Sequence, residues 1–108
     1  MKYCNSLTQY SRFKTREVKV GNLVFGGDNP IHVQSMTTSD TMDTETTVSE
    51  SIRMIEAGCK LVRITAPSKK EAHNLKNIKE ELLKRGYTTP IVADIHYTPN
   101  AAEIAATI

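Results

Sequence analysis

Three short apolar segments recur at nearly constant spacing, and this repeat constrains the fold of the chain more than any other feature. They are Ile31–Met36, Leu61–Thr65 and Pro90–His96. The valine in each segment lies 29 and then 30 residues after the valine before it. A period of about 30 residues is typical of a βα unit, and the right-handed crossover rule makes such strands parallel. The repeat therefore predicts three parallel strands, each followed by a helix.

The segments between these strands show helical signals. Thr37 to Asp43 is rich in Thr, Ser and Asp and predicts a loop, with a helix beginning at Asp43 or Thr44. Gly58 is expected to end this helix in a left-handed conformation. The apolar stripe of the predicted helix consists of Val48, Ile52 and Ile55.

Two further helices follow the second and third strands. Ser68 and Glu71 fit a capping box, and Gly86 is expected to end the second helix. Thr98 and Pro99 predict the start of the third helix, because proline is favoured at the first helical position. The apolar face of the second helix consists of Ala72, Leu75, Ile78 and Leu82.

The N-terminal part is organised differently. Residues 1–16 are polar and basic without periodicity, and we expect a partly ordered arm there. Val18–Val20 and Leu23–Phe25 flank Gly21-Asn22, which predicts a β-hairpin. A complete (β/α)8 barrel needs about 250 residues, whereas this chain has 108. We therefore expect an α/β fold in which residues 17–108 form the N-terminal part of a TIM barrel.

Composition excludes some functions and bounds the location. The formal net charge of +2 is too small to indicate a nucleic-acid or membrane partner. No apolar run approaches the ~18 residues that span a bilayer, so a cytoplasmic location is expected. Cys4 and Cys59 lack a metal-binding spacing, and no metal site is predicted from them.

Polar side chains near the ends of the three strands form the candidate site. Side chains alternate along a strand, so Gln34, Arg63, Asp94 and His96 are expected on one face. Carboxyl ends of parallel strands are where such sheets handle ligands. Arginine binds phosphate through two hydrogen bonds, whereas Asp and His bind hydroxyls or move protons. The set predicts a site for a polar, anionic small molecule.

Structural roles compete with this hypothesis. Arg63 and Asp94 could form a buried ion pair that only fills the barrel, and His96 could be a satisfied core histidine. Thr37, Thr38 and Ser39 could donate hydrogen bonds to a phosphate, although threonine-rich loops are common. The residues alone leave these alternatives open.

Three motifs in register resemble one enzyme family. Val33–Thr37, Val62–Ile64 and Val92–His96 are similar to segments of 4-hydroxy-3-methylbut-2-enyl diphosphate synthase, and Val20–Asn22 resembles its N-terminal stretch. The resemblance runs from about residue 14 to the end of the chain. Ser51–Gly58 is similar to the larger bacterial forms that carry an extra middle domain.

The resemblance implies a fold, a reaction and a cofactor. The family reductively opens 2-C-methyl-D-erythritol 2,4-cyclodiphosphate on a TIM-barrel domain, with electrons from flavodoxin or ferredoxin. The electrons pass through a 4Fe–4S cluster that the C-terminal domain of a homodimeric partner brings over the barrel. By the same resemblance, Arg63 would bind diphosphate, Asp94 and His96 would line the pocket, and Gln34 would be a weaker neighbour.

The chain lacks the family's cluster ligands, so we expect no redox activity from this polypeptide alone. Two alternatives remain open from sequence. One is an anion-binding barrel of the pterin-binding synthase type, which would show an Asn near the end of the first strand. The other is a non-catalytic βα module that self-associates through unpaired sheet edges.

Overall fold

The computed structural model describes residues 6–108, which divide into two compact units, the first ending at Ile31 and the second spanning residues 32–108. The first five residues of the predicted arm, including Cys4, lie outside the described residues. The predicted boundary after residue 16 stays a prediction. The contacts divide the chain after Ile31.

The first unit contains the predicted hairpin. Strand β1 (Val18–Val20) pairs antiparallel with β2 (Leu23–Phe25) around Gly21, which has φ +58°. Gly26, just after β2, has φ +85°, and a Cβ there would lie 2.2 Å from the Arg16 carbonyl oxygen. Only glycine permits this close approach of two backbone segments.

The second unit alternates strands and helices. Its elements are β3 (Gln34–Met36), α1 (Thr44–Glu56), β4 (Leu61–Ala66), α2 (Lys69–Lys84), β5 (Ile91–Ile95) and α3 (Pro99–Ala106). The sheet order is β3-β4-β5 and both pairings are parallel. Strands that neighbour each other in chain order, joined by helices, are the arrangement of a TIM barrel. The structure is consistent with the predicted partial barrel.

The first strand of this sheet is shorter than predicted. The sequence predicted a strand over Ile31–Met36, but β3 begins at Gln34, and Ile31 and Val33 are exposed. Strand pairing explains the difference, since Gln34 is opposite Leu61, the first residue of β4. The carbonyl of Val33 accepts from the amide of Lys60, the residue before β4, at 2.8 Å, so pairing fades out at this end of the sheet.

The helices begin after the predicted cap residues, but Ser68 and Thr98 make no side-chain cap hydrogen bond. Asp43 caps α1 by accepting a hydrogen bond from the Thr46 amide at 3.1 Å. Ser68 occupies the N-cap of α2, but its hydroxyl makes no hydrogen bond to the backbone of the helix. It donates to the Glu71 carboxylate instead, so the reciprocal capping box is not formed as predicted.

The helices cover one face of the sheet. Val62, Ile64 and Ala66 of β4 project toward them and are buried. The predicted apolar faces of α1 and α2 pack there. The buried apolar residues of the three helices are Val48, Ala72, Leu75, Ile78, Leu82 and Ala101. Burial of large aliphatic side chains stabilises by roughly 1.5–3 kcal/mol each. The opposite face of β4 and β5 is left for polar side chains.

Within residues 6–108, no helix combines the length and the apolar character needed to cross a bilayer.

Candidate functional site

Arg63 and Asp94 form an ion pair between neighbouring strands. Arg63 lies opposite Val92 in the parallel register, and Asp94 is two residues farther along β5. The Arg63 Nη2 atom is 3.2 Å from Asp94 Oδ1. The Arg63 side chain is 43% exposed and that of Asp94 is 17% exposed. The pair is therefore open to solvent on the arginine side.

His96 joins this pair from the loop after β5. Its Nε2 atom lies 3.5 Å from Asp94 Oδ2, and its side chain is 48% exposed. The hydrogen bond from Arg63 lowers the pKa of the Asp94 carboxyl, partial burial opposes it, and the bond from His96 reinforces it. Asp94 therefore stays ionised near neutral pH and holds two cationic or hydrogen-bonding partners by its two oxygens. Arg63 and His96 are partly exposed within residues 6–108, and the choice between a ligand site and an ion pair that fills the barrel stays a prediction.

The Arg63 guanidinium has an unused donor. Its Nε atom is buried and has no hydrogen-bond partner among the described residues. A buried donor without an acceptor is unfavourable by about 1–3 kcal/mol. The ion pair with Asp94 therefore leaves part of the hydrogen-bonding capacity of this side chain unsatisfied.

Gln34 lies apart from the other three predicted site residues. It is opposite Leu61, two residues before the position at which Met36 is opposite Arg63. Two residues along a strand correspond to about 6.6 Å. Its exposed side chain makes no hydrogen bond to the described part of the chain. The structure thus brings Arg63, Asp94 and His96 together, whereas a ligand-binding role for Gln34 stays a prediction.

The loop after β3 is held by a carboxylate that the sequence reasoning missed. Glu50 of α1 is only 8% exposed. Its Oε1 accepts from the Thr38 amide at 3.0 Å and the Thr38 hydroxyl at 2.9 Å, and its Oε2 accepts from the Ser39 amide at 3.1 Å. The Thr37 amide donates to the Arg63 carbonyl. These amides and the Thr38 hydroxyl therefore have acceptors within the chain, and a role of the loop in binding phosphate stays a prediction.

Burial raises the pKa of Glu50, but the hydrogen bonds from Thr38 and Ser39 outweigh that effect and leave its pKa below the usual value. The carboxylate is consequently ionised at neutral pH, when it accepts all three hydrogen bonds.

A buried amide fixes the other end of the same loop. Asn74 of α2 donates through Nδ2 to the Thr41 carbonyl at 2.7 Å and to the Thr44 hydroxyl at 2.9 Å. The Thr41 hydroxyl in turn donates to the Thr65 carbonyl of β4 at 2.6 Å. The loop is therefore attached to α1, α2 and β4 through side chains.

The sequence contains only a weak signal that Glu50 and Asn74 fix this loop. Glu50 and Asn74 each lie beside the apolar stripe of their helix, next to Ser51 and Leu75, which are buried. A polar residue at the border of a buried stripe is expected to have a partner. The sequence pattern does not say which partner.

A depression of about 480 Å³ lies between this loop and the start of α2. It borders the strand that carries Arg63, because Met36 and Thr65 are part of its wall. The remaining lining residues are Thr37, Thr38, Ser39, Asp40, Thr41, Pro67 and Glu71.

The described residues do not fit an iron–sulfur cluster. Among residues 6–108, no group of three or more His, Cys, Asp or Glu side chains is placed to hold a metal ion. Cys59, the one cysteine in that range, has a free thiol and is half-buried.

Comparison with known proteins identifies the family. The family model of the GcpE TIM-barrel domain matches residues 15–108. The chain belongs to this family. The match covers the three βα units that carry Arg63, Asp94 and His96, and it agrees with the resemblance to the diphosphate synthases rather than to the pterin-binding synthases.

Curated relatives of this GcpE-family chain are similar along most of its length. It is 53% identical over 104 residues to the 4-hydroxy-3-methylbut-2-en-1-yl diphosphate synthase (flavodoxin) of Akkermansia muciniphila, which covers 96% of this chain and 18% of that protein. The protein of the same name from Parabacteroides distasonis is 52% identical over 97 residues, 90% of this chain and 16% of that protein.

A plant protein gives a similar result. The chloroplastic 4-hydroxy-3-methylbut-2-en-1-yl diphosphate synthase (ferredoxin) of Arabidopsis thaliana is 48% identical over 101 residues, 94% of this chain and 14% of that protein. The chain thus spans less than a fifth of the length of these relatives. The names of the two bacterial relatives specify flavodoxin, and that of the plant relative specifies ferredoxin.

Proposed function

We propose that this chain is the part of a reductive diphosphate synthase that helps to bind the cyclic diphosphate substrate. The full enzyme would open 2-C-methyl-D-erythritol 2,4-cyclodiphosphate to 4-hydroxy-3-methylbut-2-enyl diphosphate. The observation that carries the proposal is the cluster of Arg63, Asp94 and His96 near the carboxyl ends of β4 and β5 in a GcpE-family chain.

Arg63 would bind the diphosphate. Its guanidinium is partly exposed and retains a donor at Nε that finds no acceptor within the described chain. A diphosphate oxygen that draws the guanidinium outward would uncover this donor and accept from it. Paired hydrogen bonds from one guanidinium to phosphate are among the strong charge-assisted contacts in proteins.

Asp94 and His96 would line the pocket and orient the substrate. One oxygen of Asp94 lies against Arg63 and the other against His96, so a single carboxylate positions both side chains. An ionised carboxylate next to the phosphate site also keeps Arg63 from swinging freely before the ligand binds, which lowers the conformational entropy lost on binding.

The redox step would belong to residues outside this chain. A 4Fe–4S cluster would supply electrons, with flavodoxin or ferredoxin as the donor, as the names of the relatives suggest. The proposal includes a homo-oligomer in which a partner domain brings the cluster to the barrel. It also includes a cytoplasmic location.

A chimeric enzyme tests the proposal. Residues 15–108 replace the homologous segment of the Akkermansia muciniphila synthase, and product formation is measured with a chemical or protein reductant. We expect activity in the chimera and a loss of at least about a hundredfold in kcat/KM with Arg63→Ala. The matched control is Arg53→Ala, which removes an exposed arginine from α1. A folded but inactive chimera would contradict the proposal.

A second candidate is a non-catalytic module that associates through its sheet. β3 and β5 are the outer strands of the three-stranded sheet, and their outer edges have no strand partner among the described residues. Such edges recruit further strands. Light scattering on the purified chain tests this role, and a clean monomer at high concentration would contradict it.

A further inference from the structure

Glu50 is connected to the candidate site through the backbone of the loop after β3. Its carboxylate accepts from Thr38 and Ser39, in the middle of that loop. On one side, the Thr37 amide donates to the Arg63 carbonyl at 3.0 Å. The segment that Glu50 holds is therefore joined, through the neighbouring Thr37, to the backbone of Arg63, the residue predicted to bind diphosphate.

The other side of the loop makes an equivalent connection. The Thr41 hydroxyl donates to the carbonyl of Thr65, the residue opposite Asp94 in the sheet. The loop is thus hydrogen-bonded to β4 at residues 63 and 65, whose side chains face the site, and Glu50 supports the span between them. A displacement of Thr38 and Ser39 would be transmitted to both positions.

We propose that Glu50 is a positioning residue for Arg63, acting through the loop of residues 37–41. The inference rests on the proposed function, since it assigns Glu50 a role in how well Arg63 meets the diphosphate. Glu50 itself does not contact the ligand. Its carboxylate is committed to Thr38 and Ser39, and its side chain is only 8% exposed.

The bonding pattern predicts a graded response to substitution. Glu50→Gln retains an acceptor oxygen for Thr38 but places an NH2 group against the Ser39 amide, where two donors face each other. Glu50→Ala removes both acceptors and leaves the two amides without partners. We therefore expect Glu50→Ala to displace the loop more than Glu50→Gln does.

Steady-state kinetics in the chimeric synthase measures this effect. A ligand contact made equally in the ground state and the transition state affects KM rather than kcat. We expect KM for the cyclic diphosphate to rise about tenfold with Glu50→Ala and less with Glu50→Gln, while kcat changes less than about twofold. An unchanged KM in Glu50→Ala would overturn the inference.

Two control variants separate positioning from stability. Glu56→Gln makes the same chemical change at the other end of α1, where Glu56 accepts from the Tyr87 hydroxyl at 2.8 Å. Ile78→Val lowers stability in the core without touching the loop. Both are expected to leave KM unchanged. A rise in KM with Ile78→Val equal to that of Glu50→Ala would show that Glu50 acts only through stability.

A double variant tests the route through the loop. Thr38→Val removes the hydroxyl that donates to Glu50. If Glu50 acts through Thr38, Thr38→Val combined with Glu50→Ala raises KM no further than Glu50→Ala alone. Additive effects of the two changes would contradict this route.

A measurement without ligand keeps the inference separate from the proposed function. In 15N NMR spectra of the chain itself, the buried Arg63 Nε–H group gives a signal that reports its environment. We expect Glu50→Ala to shift or broaden this signal, and Glu56→Gln to leave it unchanged. An inactive wild-type chimera would count against the synthase assignment alone, whereas an unmoved Arg63 signal would overturn the role of Glu50.

Discussion

At the carboxyl end of the sheet, the polar groups on the β3 side and on the β4–β5 side differ in whether they have hydrogen-bond partners within the chain. On the β3 side, the amides of Thr37, Thr38 and Ser39 all donate to acceptors within the protein. On the β4–β5 side, Arg63 and His96 are nearly half exposed, and the Arg63 Nε atom has no acceptor among the described residues.

This difference distinguishes polar groups that stabilise the fold from polar groups that are available to bind a ligand. Polar groups that already have partners gain little by meeting a ligand, because each new hydrogen bond would replace an existing one. Groups with unused donors and exposed charge gain the most. We therefore expect the β3 side to contribute stability and the β4–β5 side to contribute ligand affinity, and substitutions on each side test that expectation.

The largest effect is expected at Asn74, on the supporting side. Asn74→Ala removes two hydrogen bonds of a buried amide and leaves the Thr41 carbonyl without this donor. We expect the free energy of unfolding to fall by about 2–3 kcal/mol, measured by urea denaturation. Asn77→Ala, an exposed neighbour that donates to Asn74, is the control and should lower it by less than about 1 kcal/mol.

The contribution of Glu50 to the free energy of unfolding is expected to depend on pH. Because its pKa is lowered on folding, its contribution is complete above its unfolded pKa and is lost as the pH falls through its folded pKa. Glu50→Gln should therefore reduce the free energy of unfolding by about 1–2 kcal/mol at pH 7. The difference from wild type should shrink toward pH 3 in parallel denaturation series. A difference independent of pH would show that the charge of Glu50 is not what supports the loop.

Arg63 should respond in the opposite way to Asn74. Arg63→Met removes a partly exposed ion pair together with a buried donor that lacks an acceptor. The free energy of unfolding should change by less than about 1 kcal/mol, since exposed ion pairs contribute little. Ligand affinity is expected to be lost in the same variant. A loss of stability as large as that of Asn74→Ala would break the division between the two sides.

The smallest effect is expected at Tyr97, which follows His96. Its φ is +55°, in the left-handed region, and its side chain is fully exposed. Tyr97→Gly should raise the free energy of unfolding by roughly 0.5–1 kcal/mol, because glycine adopts this conformation without strain. Tyr97→Ala keeps the Cβ and should bring no gain, so thermal melts of the two variants isolate the backbone effect.

Much of the fold could be predicted from local pattern. The cap residues Asp43, Ser68 and Thr98 predicted where the three helices begin, although only Asp43 makes a side-chain cap hydrogen bond. The apolar stripes predicted the buried faces of α1 and α2. The cap of α2 shows the limit, because Ser68 and Glu71 bond to each other rather than forming the reciprocal box. The sequence pattern identified Ser68 as the cap residue, but it did not predict which group its hydroxyl would bond to.

The candidate site divides in the same manner. Strand alternation put Arg63 and Asp94 on one face, and the parallel register made them diagonal neighbours. Alternation put Gln34 on that face as well, but only the register showed that it lies two residues below Arg63. The face that a strand residue occupies is a local property of the sequence. Its position along the strand axis relative to a residue of the neighbouring strand depends on the pairing register.

The sequence by itself determined the repeating βα order, the helix boundaries and the face that each strand residue occupies, because these follow from periodicities of two and 3.6 residues along one chain. Only the tertiary structure decided that Glu50 and Asn74 hold the loop beneath the site. Their partners lie 12 and 33 residues away, and a hydrogen bond at such separation depends on how the elements pack rather than on any local pattern.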